Sequence, residues 1–233
     1  MQSGNTGFAG VVTATGSTPL RVAVVEDQPL YRAMLVTLLE AEPDVTVVVV
    51  ASGVSEARAL ITPGLIDVAI LDVELGDGNG IGLGVSLRRL DDDLGILLLS
   101  SHDVMSLLLD LPVDMTKGWS YLSKNSSTTA DLVMHAIRET ATGGTVLDPA
   151  LVQRATPRSG SAMAGLSPRQ YQVLQVLAEG LSNVGIGERL GISPRSVENH
   201  INAIYATLNI ESNGGRNPRV AAVLQFIEES ARV

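Results

Sequence analysis

Val68-Ala69-Ile70-Leu71-Asp72 is a run of four apolar residues that stops on a carboxylate. An apolar run without alternation fits a strand covered on both faces, the kind found in parallel sheets. Four more such runs flank it: Arg21–Val25, Val45–Ala51, Ile96–Ser100 and Trp119–Leu122. Segments with helical spacing fall between them. Leu30–Glu40 places Tyr31, Met34, Leu35 and Leu38 on one side and has Pro29 at its start. Ser55–Ile61, Ile81–Leu90 and Thr128–Thr140 follow, and a further helix falls near Leu107–Leu111, which runs into Pro112. Repeated strand–helix units predict an α/β fold, a doubly wound five-stranded parallel sheet with right-handed crossovers.

The rest of the chain differs in kind. It has 233 residues, more than one domain of ~100–150 residues usually needs. Residues 1–150 carry a net charge of −11 and residues 151–233 a net of +2. The change coincides with Thr156–Gly165, a low-complexity stretch of Pro, Arg, Ser, Gly, Ala and Met that reads as a linker. Cysteine is absent, so disulfides, Fe–S clusters and Cys-based zinc sites are excluded. Seven aromatic residues leave little material for stacking on single-stranded nucleic acid. No run approaches the ~18 apolar residues of a membrane span. The first nineteen residues are small and polar and lack Lys and Arg, which predicts a loose tail rather than a secretory signal or transit peptide.

In a doubly wound sheet, sites form beyond the carboxyl ends of the strands. Strand one ends in Glu26-Asp27, strand three in Asp72, strand four in Ser100-Ser101, and Lys124 follows strand five. Three close carboxylates repel one another. A hard divalent cation such as Mg²⁺ relieves that repulsion and can bridge to a phosphate. A carboxylate in such a site can accept a phosphoryl group, with an ammonium and a hydroxyl on the transferred oxygens. Each residue taken singly has a plainer explanation: an Asp after a strand is more often a turn residue, a Ser a cap, a Lys solvated surface. The set, in this order at four strand ends, points to phosphoryl acceptance.

Residues 20–145 resemble a bacterial response-regulator receiver domain, of flavodoxin-like fold. The resemblance rests on Val-Val-Glu26-Asp27, Leu71-Asp72-Val73, Leu99-Ser100-Ser101 and Tyr121-Leu122-Ser123-Lys124. It implies Asp72 as the phosphoacceptor, with Glu26, Asp27, Asp72 and the Glu74 backbone carbonyl holding Mg²⁺. It further implies Ser100 as the switch hydroxyl, Tyr121 as the switch aromatic and Lys124 as the phosphate-sensing cation. The loop Val73-Glu-Leu-Gly-Asp-Gly-Asn-Gly80 departs from the common pattern, and Gly76 is expected to loosen it. Asp103–Lys117 matches poorly.

The second half reads as a small helical bundle. Ser167-Pro168-Arg169-Gln170 has the form of a capping box, and its helix buries Val173, Leu174 and Leu177 before Gly180. Ser182 can cap a second helix that stops at Gly191, and Ser193-Pro194 starts a third that runs to about Leu208. A tight Gly-containing turn between short helices is a helix-turn-helix candidate. On the third helix Val197, Ile201, Ile204, Tyr205 and Leu208 share one face; Arg195, Glu198, Asn199, Asn202 and Ala206 share the other. Asn can bond bidentately to adenine and Glu can accept from cytosine. By polarity alone, the wet face of an ordinary bundle helix is the favoured reading.

The segments Leu166-Ser-Pro-Arg, Leu177-Ala-Glu-Gly-Leu-Ser-Asn183, Glu188-Arg-Leu-Gly-Ile-Ser193 and Ser196-Val-Glu-Asn-His-Ile201 resemble the LuxR-type helix-turn-helix. The whole chain thus resembles the NarL/FixJ class of response regulators. That resemblance implies double-stranded DNA read in the major groove by Arg195, Ser196, Glu198, Asn199 and Asn202. It implies a fourth helix from Asn217-Pro218 with Val220, Val223, Leu224 and Ile227 as a dimer face. The expected layout is a tail over 1–19, a receiver over 20–145, a linker over 146–165 and a DNA-binding domain over 166–233. The expected activity is that of a cytoplasmic transcription regulator rather than an enzyme, phosphorylated by a sensor histidine kinase and active as a homodimer. Two rivals stand beside it: an Asp-nucleophile phosphohydrolase, for which Glu74 replaces the usual second Asp, and a regulator that works without phosphorylation. Residues 160–233 hold six Arg, no Lys and six Glu, so the electrostatic share of DNA affinity should be small.

Overall fold

The computed structural model of the chain describes residues 18–101, 117–124, 128–210 and 217–231. The tail over 1–17, the helix expected near Leu107–Leu111 and Arg216 lie outside the described residues.

The first half is the expected α/β unit. Its elements are β1 (Leu20–Val25), α1 (Pro29–Glu40), β2 (Val45–Ala51), α2 (Val54–Leu60), β3 (Val68–Asp72), α3 (Gly80–Arg88), β4 (Gly95–Ser100), β5 (Trp119–Ser123) and α4 (Ala130–Ala141). The strands form one parallel sheet in the order β2-β1-β3-β4-β5. Chain order reverses between β1 and β3, which opens the crevice at their carboxyl ends. β3, β4 and β5 are buried along their whole length, as their continuous apolar runs require. On α1 the core contact is made by Leu35 and Leu39, while Met34 is 49% exposed. The apolar side is therefore rotated from the one expected, because α1 lies over the edge strand β2 as well as β1.

The loop after Asp72 is tighter than Gly76 suggests. Glu74–Leu75 pairs antiparallel with Gly78–Asn79. Asp77 accepts the backbone N–H groups of Val54 (2.7 Å) and Ser55 (2.9 Å), which ties the loop to the start of α2. Gly80 is a steric requirement, since a Cβ there would lie 1.9 Å from the Asp72 carbonyl oxygen.

The second half contains α5 (Pro149–Arg154), α6 (Pro168–Ala178), α7 (Asn183–Leu190), α8 (Pro194–Thr207) and α9 (Pro218–Glu229). Ser167 and Gln170 form the full capping box of α6. Ser182 and Ser193 cap α7 and α8, and Gly191 closes α7 in the left-handed region at φ 65°.

Two expectations are corrected here. The linker is an ordered joint. Thr156–Pro157 pairs antiparallel with Ser230–Ala231, Ala162–Gly165 is a 3₁₀ turn, and Met163 is buried. The few apolar residues of this stretch suffice because α9 and α8 offer them a ready surface. The dimer face on α9 is the second. Val220, Val223 and Ile227 are buried and Leu224 is half-buried, because α9 turns its apolar side onto α6 and α8 within the same chain. Tyr205 is half-buried rather than in the core.

The halves are joined through β5. The Tyr121 N–H donates to the Val146 carbonyl at 2.9 Å, and Leu147 in turn donates to the Ala178 carbonyl at the end of α6 at 2.9 Å. Asp148, also buried, accepts from the Ser123 N–H at 2.9 Å while capping α5 through Ala150 and Leu151. The Tyr171 hydroxyl donates to the Ala155 carbonyl at 2.8 Å, which fastens α5 to α6. One apolar cluster runs from Leu71 and Tyr121 through Leu147 and Val152 to Val173 and Leu177.

Candidate phosphoacceptor and DNA-reading sites

The carboxyl ends of β1, β3 and β5 bring four charged side chains together. Glu26 and Asp72 are 1% and 4% exposed, and Asp27 is partly open. Carboxylate oxygens of Glu26, Asp27 and Asp72 lie within 4.8 Å of one another. The Lys124 ammonium is 2.7 Å from Glu26 Oε2 and 2.8 Å from Asp72 Oδ2. The short loop from β5 delivers it there, with the Lys124 N–H donating to the Ser100 carbonyl at 2.8 Å. The Glu74 N–H donates to Asp72 Oδ1 at 3.2 Å, which places Glu74 directly at the acceptor's side. Ser100 and Tyr121 are fully buried, at the end of β4 and in the middle of β5.

Electrostatics at this site favour bringing in a cation. Burial raises the Glu26 carboxyl above the ordinary carboxylate range, and the charge of Asp72 adds to that shift. The hydrogen bond from Lys124 opposes it only in part. A donor set of hard oxygens, excess negative charge and one open side at Asp27 suits a Mg²⁺ that keeps some of its waters.

Two neighbours escaped the sequence reading. Tyr31, expected in the α1 core, lies with its ring centroid 4.7 Å from Lys124 Nζ. Burial, then the charges of Glu26 and Asp72, raise its hydroxyl pKa, so the phenol stays protonated at neutral pH. Arg32 donates to the Glu26 and Asp27 carbonyls, which fixes the turn between β1 and α1. The available signal was position: Tyr31 lies in the first turn of α1, just after the Glu26-Asp27 pair.

In the second half Arg195, Glu198, Asn199 and Asn202 are exposed on α8 and line one open groove with Pro194 and Asn183. Ser196 is partly turned away, its N–H donating to the Ser193 hydroxyl at 3.1 Å. Asn183, which the reading face did not include, is positioned from outside: Arg219 Nη1 donates to its Oδ1 at 3.3 Å and Nη2 donates to the Leu181 carbonyl. The groove stays open while the two halves are docked through β5.

A parallel α/β unit with an acidic crevice, joined to a helix-turn-helix with an open polar groove, defines a regulator that couples a phosphoryl-accepting module to a nucleic-acid reader. Comparison with known proteins agrees. The family described as response regulator receiver domain matches residues 22–136, and that described as bacterial regulatory proteins, luxR family, matches residues 164–214. The DNA-binding transcriptional activator DevR/DosR of Mycobacterium tuberculosis is 31% identical over 82% of this chain and 89% of its own length. The nitrate/nitrite response regulator protein NarP of Escherichia coli is 32% identical over 91% of this chain and 97% of its own. A crystal structure of the response regulator ChrA, from a heme-sensing two-component system, shares 28% identity and covers 90% of this chain and 96% of its own, with a TM-score of 0.46. The chain belongs to the two-component response regulators that carry a receiver and a LuxR-type DNA-binding domain. Among the described residues, no helix is long and apolar enough to cross a membrane.

Proposed function

We propose that Asp72 accepts a phosphoryl group from a sensor histidine kinase and that this alters how a homodimer engages double-stranded DNA. The receiver then spans 20–145 and the DNA-binding unit 166–233, with the ordered joint over 146–165 between them and a tail over 1–19. The observation that carries the reading is Lys124 bridging Glu26 and Asp72 beside Asp27 in an otherwise buried crevice. The Asp72 carboxylate oxygen attacks phosphorus, the bond to the donor nitrogen breaks, and the donor ring, having taken up one proton from solvent, leaves as a neutral imidazole. Glu26, Asp27, Asp72 and the Glu74 carbonyl would hold Mg²⁺, which supplies charge neutralisation at the transferred oxygens. Lys124 takes one of those oxygens and Ser100 bonds another, while Tyr121 answers the change on β5. The added charge of about −1.5 to −2 biases that arrangement. The chain is read as a transcription regulator rather than an enzyme, acting in the cytoplasm. The test is incubation of the full chain with a small phosphodonor and Mg²⁺, followed by intact mass, size-exclusion and DNA binding. A phosphoryl adduct that leaves both assembly and DNA binding unchanged would favour the regulator that works without phosphorylation.

On DNA, α8 enters the major groove with Asn199 and Asn202 reading bases, Glu198 beside them, and Arg195 and Ser196 at the helix start. Asn199→Ala and Asn202→Ala should each cost about 1–3 kcal/mol at the preferred site and flatten a mismatch profile. Arg195→Ala should instead weaken all sequences alike. Two Asn variants with an unchanged mismatch profile contradict this assignment.

The salt dependence follows from which arginines remain available. Arg219 is held by Leu181 and Asn183, and burial lowers its pKa, so it is withdrawn from the phosphate-facing set. Arg189 pairs with Glu179 at 3.0 Å. Arg169 also donates to the Leu190 carbonyl at 2.6 Å and to Gln172 Oε1 at 3.0 Å, so at most Arg169 and Arg195 in each of two subunits neutralise about four phosphates, giving a slope of log affinity against log salt no steeper than about −4 from these two arginines. Anisotropy titrations on a two-half-site duplex measure it. A slope steeper than about −7 requires nearly every one of Arg169, Arg195, Arg216 and Arg219 in both subunits to contact phosphate, and Arg216 lies outside the described residues.

A further inference from the structure

We propose that Tyr31 is a positioning residue for Lys124: its ring face holds the ammonium between Glu26 and Asp72, where the incoming phosphoryl oxygen must be met. The inference rests on the reading of Asp72 as phosphoacceptor. Lys124 Nζ makes two ion pairs, at 2.7 Å to Glu26 and 2.8 Å to Asp72, and lies 4.7 Å from the Tyr31 ring centroid. The Lys124 side chain is only 5% exposed, so water does little to solvate its charge. A cation within about 6 Å of an aromatic ring is drawn to its face by the ring quadrupole, most strongly where water is excluded.

The division of labour follows from directionality. A carboxylate binds the ammonium along defined hydrogen bonds. The ring attracts it over a broad face and donates nothing to it. When a phosphoryl group arrives on Asp72, the ammonium must leave one carboxylate oxygen and follow the new ones. Contact with Glu26 alone would draw it toward β1 and away from the phosphoryl. The ring keeps it at the centre during that exchange without taking up a carboxylate oxygen that a metal needs. Tyr31 is held for this by α1, whose first turn is fixed by Pro29 and by Arg32 on the Glu26 and Asp27 carbonyls.

The test compares the full chain with Tyr31→Phe, Tyr31→Leu, Lys124→Met and the Lys124→Met/Tyr31→Leu pair. The rate of phosphoryl transfer from phosphoramidate with Mg²⁺ is read by intact mass, with Asp72→Asn as control. Tyr31→Phe keeps the ring and should stay within about twofold of the parent, whereas Tyr31→Leu should slow transfer about fivefold to tenfold. In the Lys124→Met background, Tyr31→Leu should have no further effect, the signature of two groups acting as a unit. A second readout needs no phosphoryl transfer. The ε-methylene protons of Lys124 should show a ring-current shift by NMR that survives Tyr31→Phe and vanishes in folded Tyr31→Leu. A wild-type rate for Tyr31→Leu overturns the proposal, as do equal losses in the Phe and Leu variants or an additive double variant. Labelling of Asp72→Asn overturns the underlying site reading instead, and the ring-current shift still reports on the contact itself.

Discussion

Asp72→Asn should abolish phosphoryl labelling by a small phosphodonor, and EDTA should do the same to the parent chain. The amide keeps the shape of the side chain and its place beside Lys124 and the Glu74 N–H. It removes the anionic oxygen that, in the proposed function, attacks phosphorus, while Asp27 is kept for the metal. Glu26 is the nearest alternative, but it is buried, shares Lys124, and has its carboxyl pKa raised by that burial. EDTA acts through the other half of the problem. Three carboxylates within 4.8 Å of one another repel an anionic donor unless a cation is present. Asp27→Ala should therefore cut labelling strongly while leaving the acceptor intact. Full labelling of Asp72→Asn, or labelling indifferent to EDTA, removes the basis of the assignment.

The second large effect is on stability, at Asp148. This carboxylate is 1% exposed and accepts N–H groups from Ser123, Ala150 and Leu151, the first in the receiver sheet and the other two on α5. Ala there removes the carboxylate oxygen to which the buried Ser123 N–H donates at 2.9 Å, a loss of about 1–3 kcal/mol. It also uncaps α5, for about 1 kcal/mol more. The sum of about 3 kcal/mol should lower the melting temperature by roughly 6–12 °C in a chain of this size. Proteolysis between 146 and 165 should speed up in parallel, because the same residue holds the joint to β5. Asn retains one acceptor oxygen but opposes one N–H with another, so its loss should be intermediate. A melting temperature for Asp148→Ala within about 2 °C of the parent contradicts this account.

The contrast between Asp72 and Asp148 shows what the sequence discloses. The strands were legible because buried parallel strands need unbroken apolar runs, and α6 to α9 each carry their own Ser-Pro, Ser or Asn-Pro start, whereas α5, capped by Asp148, fell inside the stretch read as linker. Glu26, Asp27, Asp72, Ser100 and Lys124 could be placed together because the carboxyl ends of strands in a doubly wound sheet lie along one edge. Asp148 and Asp77 could not be found this way. Each acts on backbone N–H groups 22 to 25 residues away, and such contacts leave no local pattern. Tyr31 was assigned to the core because the helical period sorts apolar from polar faces and is blind to a ring that is both. The α9 stripe of Val220, Val223 and Ile227 shows the converse limit. An apolar face in sequence demands a partner without saying whether that partner lies in the same chain.

The open groove on α8 bears on how such a protein can be switched off at all. A reader left open while the two halves are docked is not switched by uncovering, so under the proposed function its resting form would compete for promoters. The stimulus then sets a ratio of occupancies rather than opening a gate, and that ratio depends on how many molecules the cell makes. Raising expression should partly substitute for the signal, so transcript abundance of the regulator itself becomes a second input to the circuit.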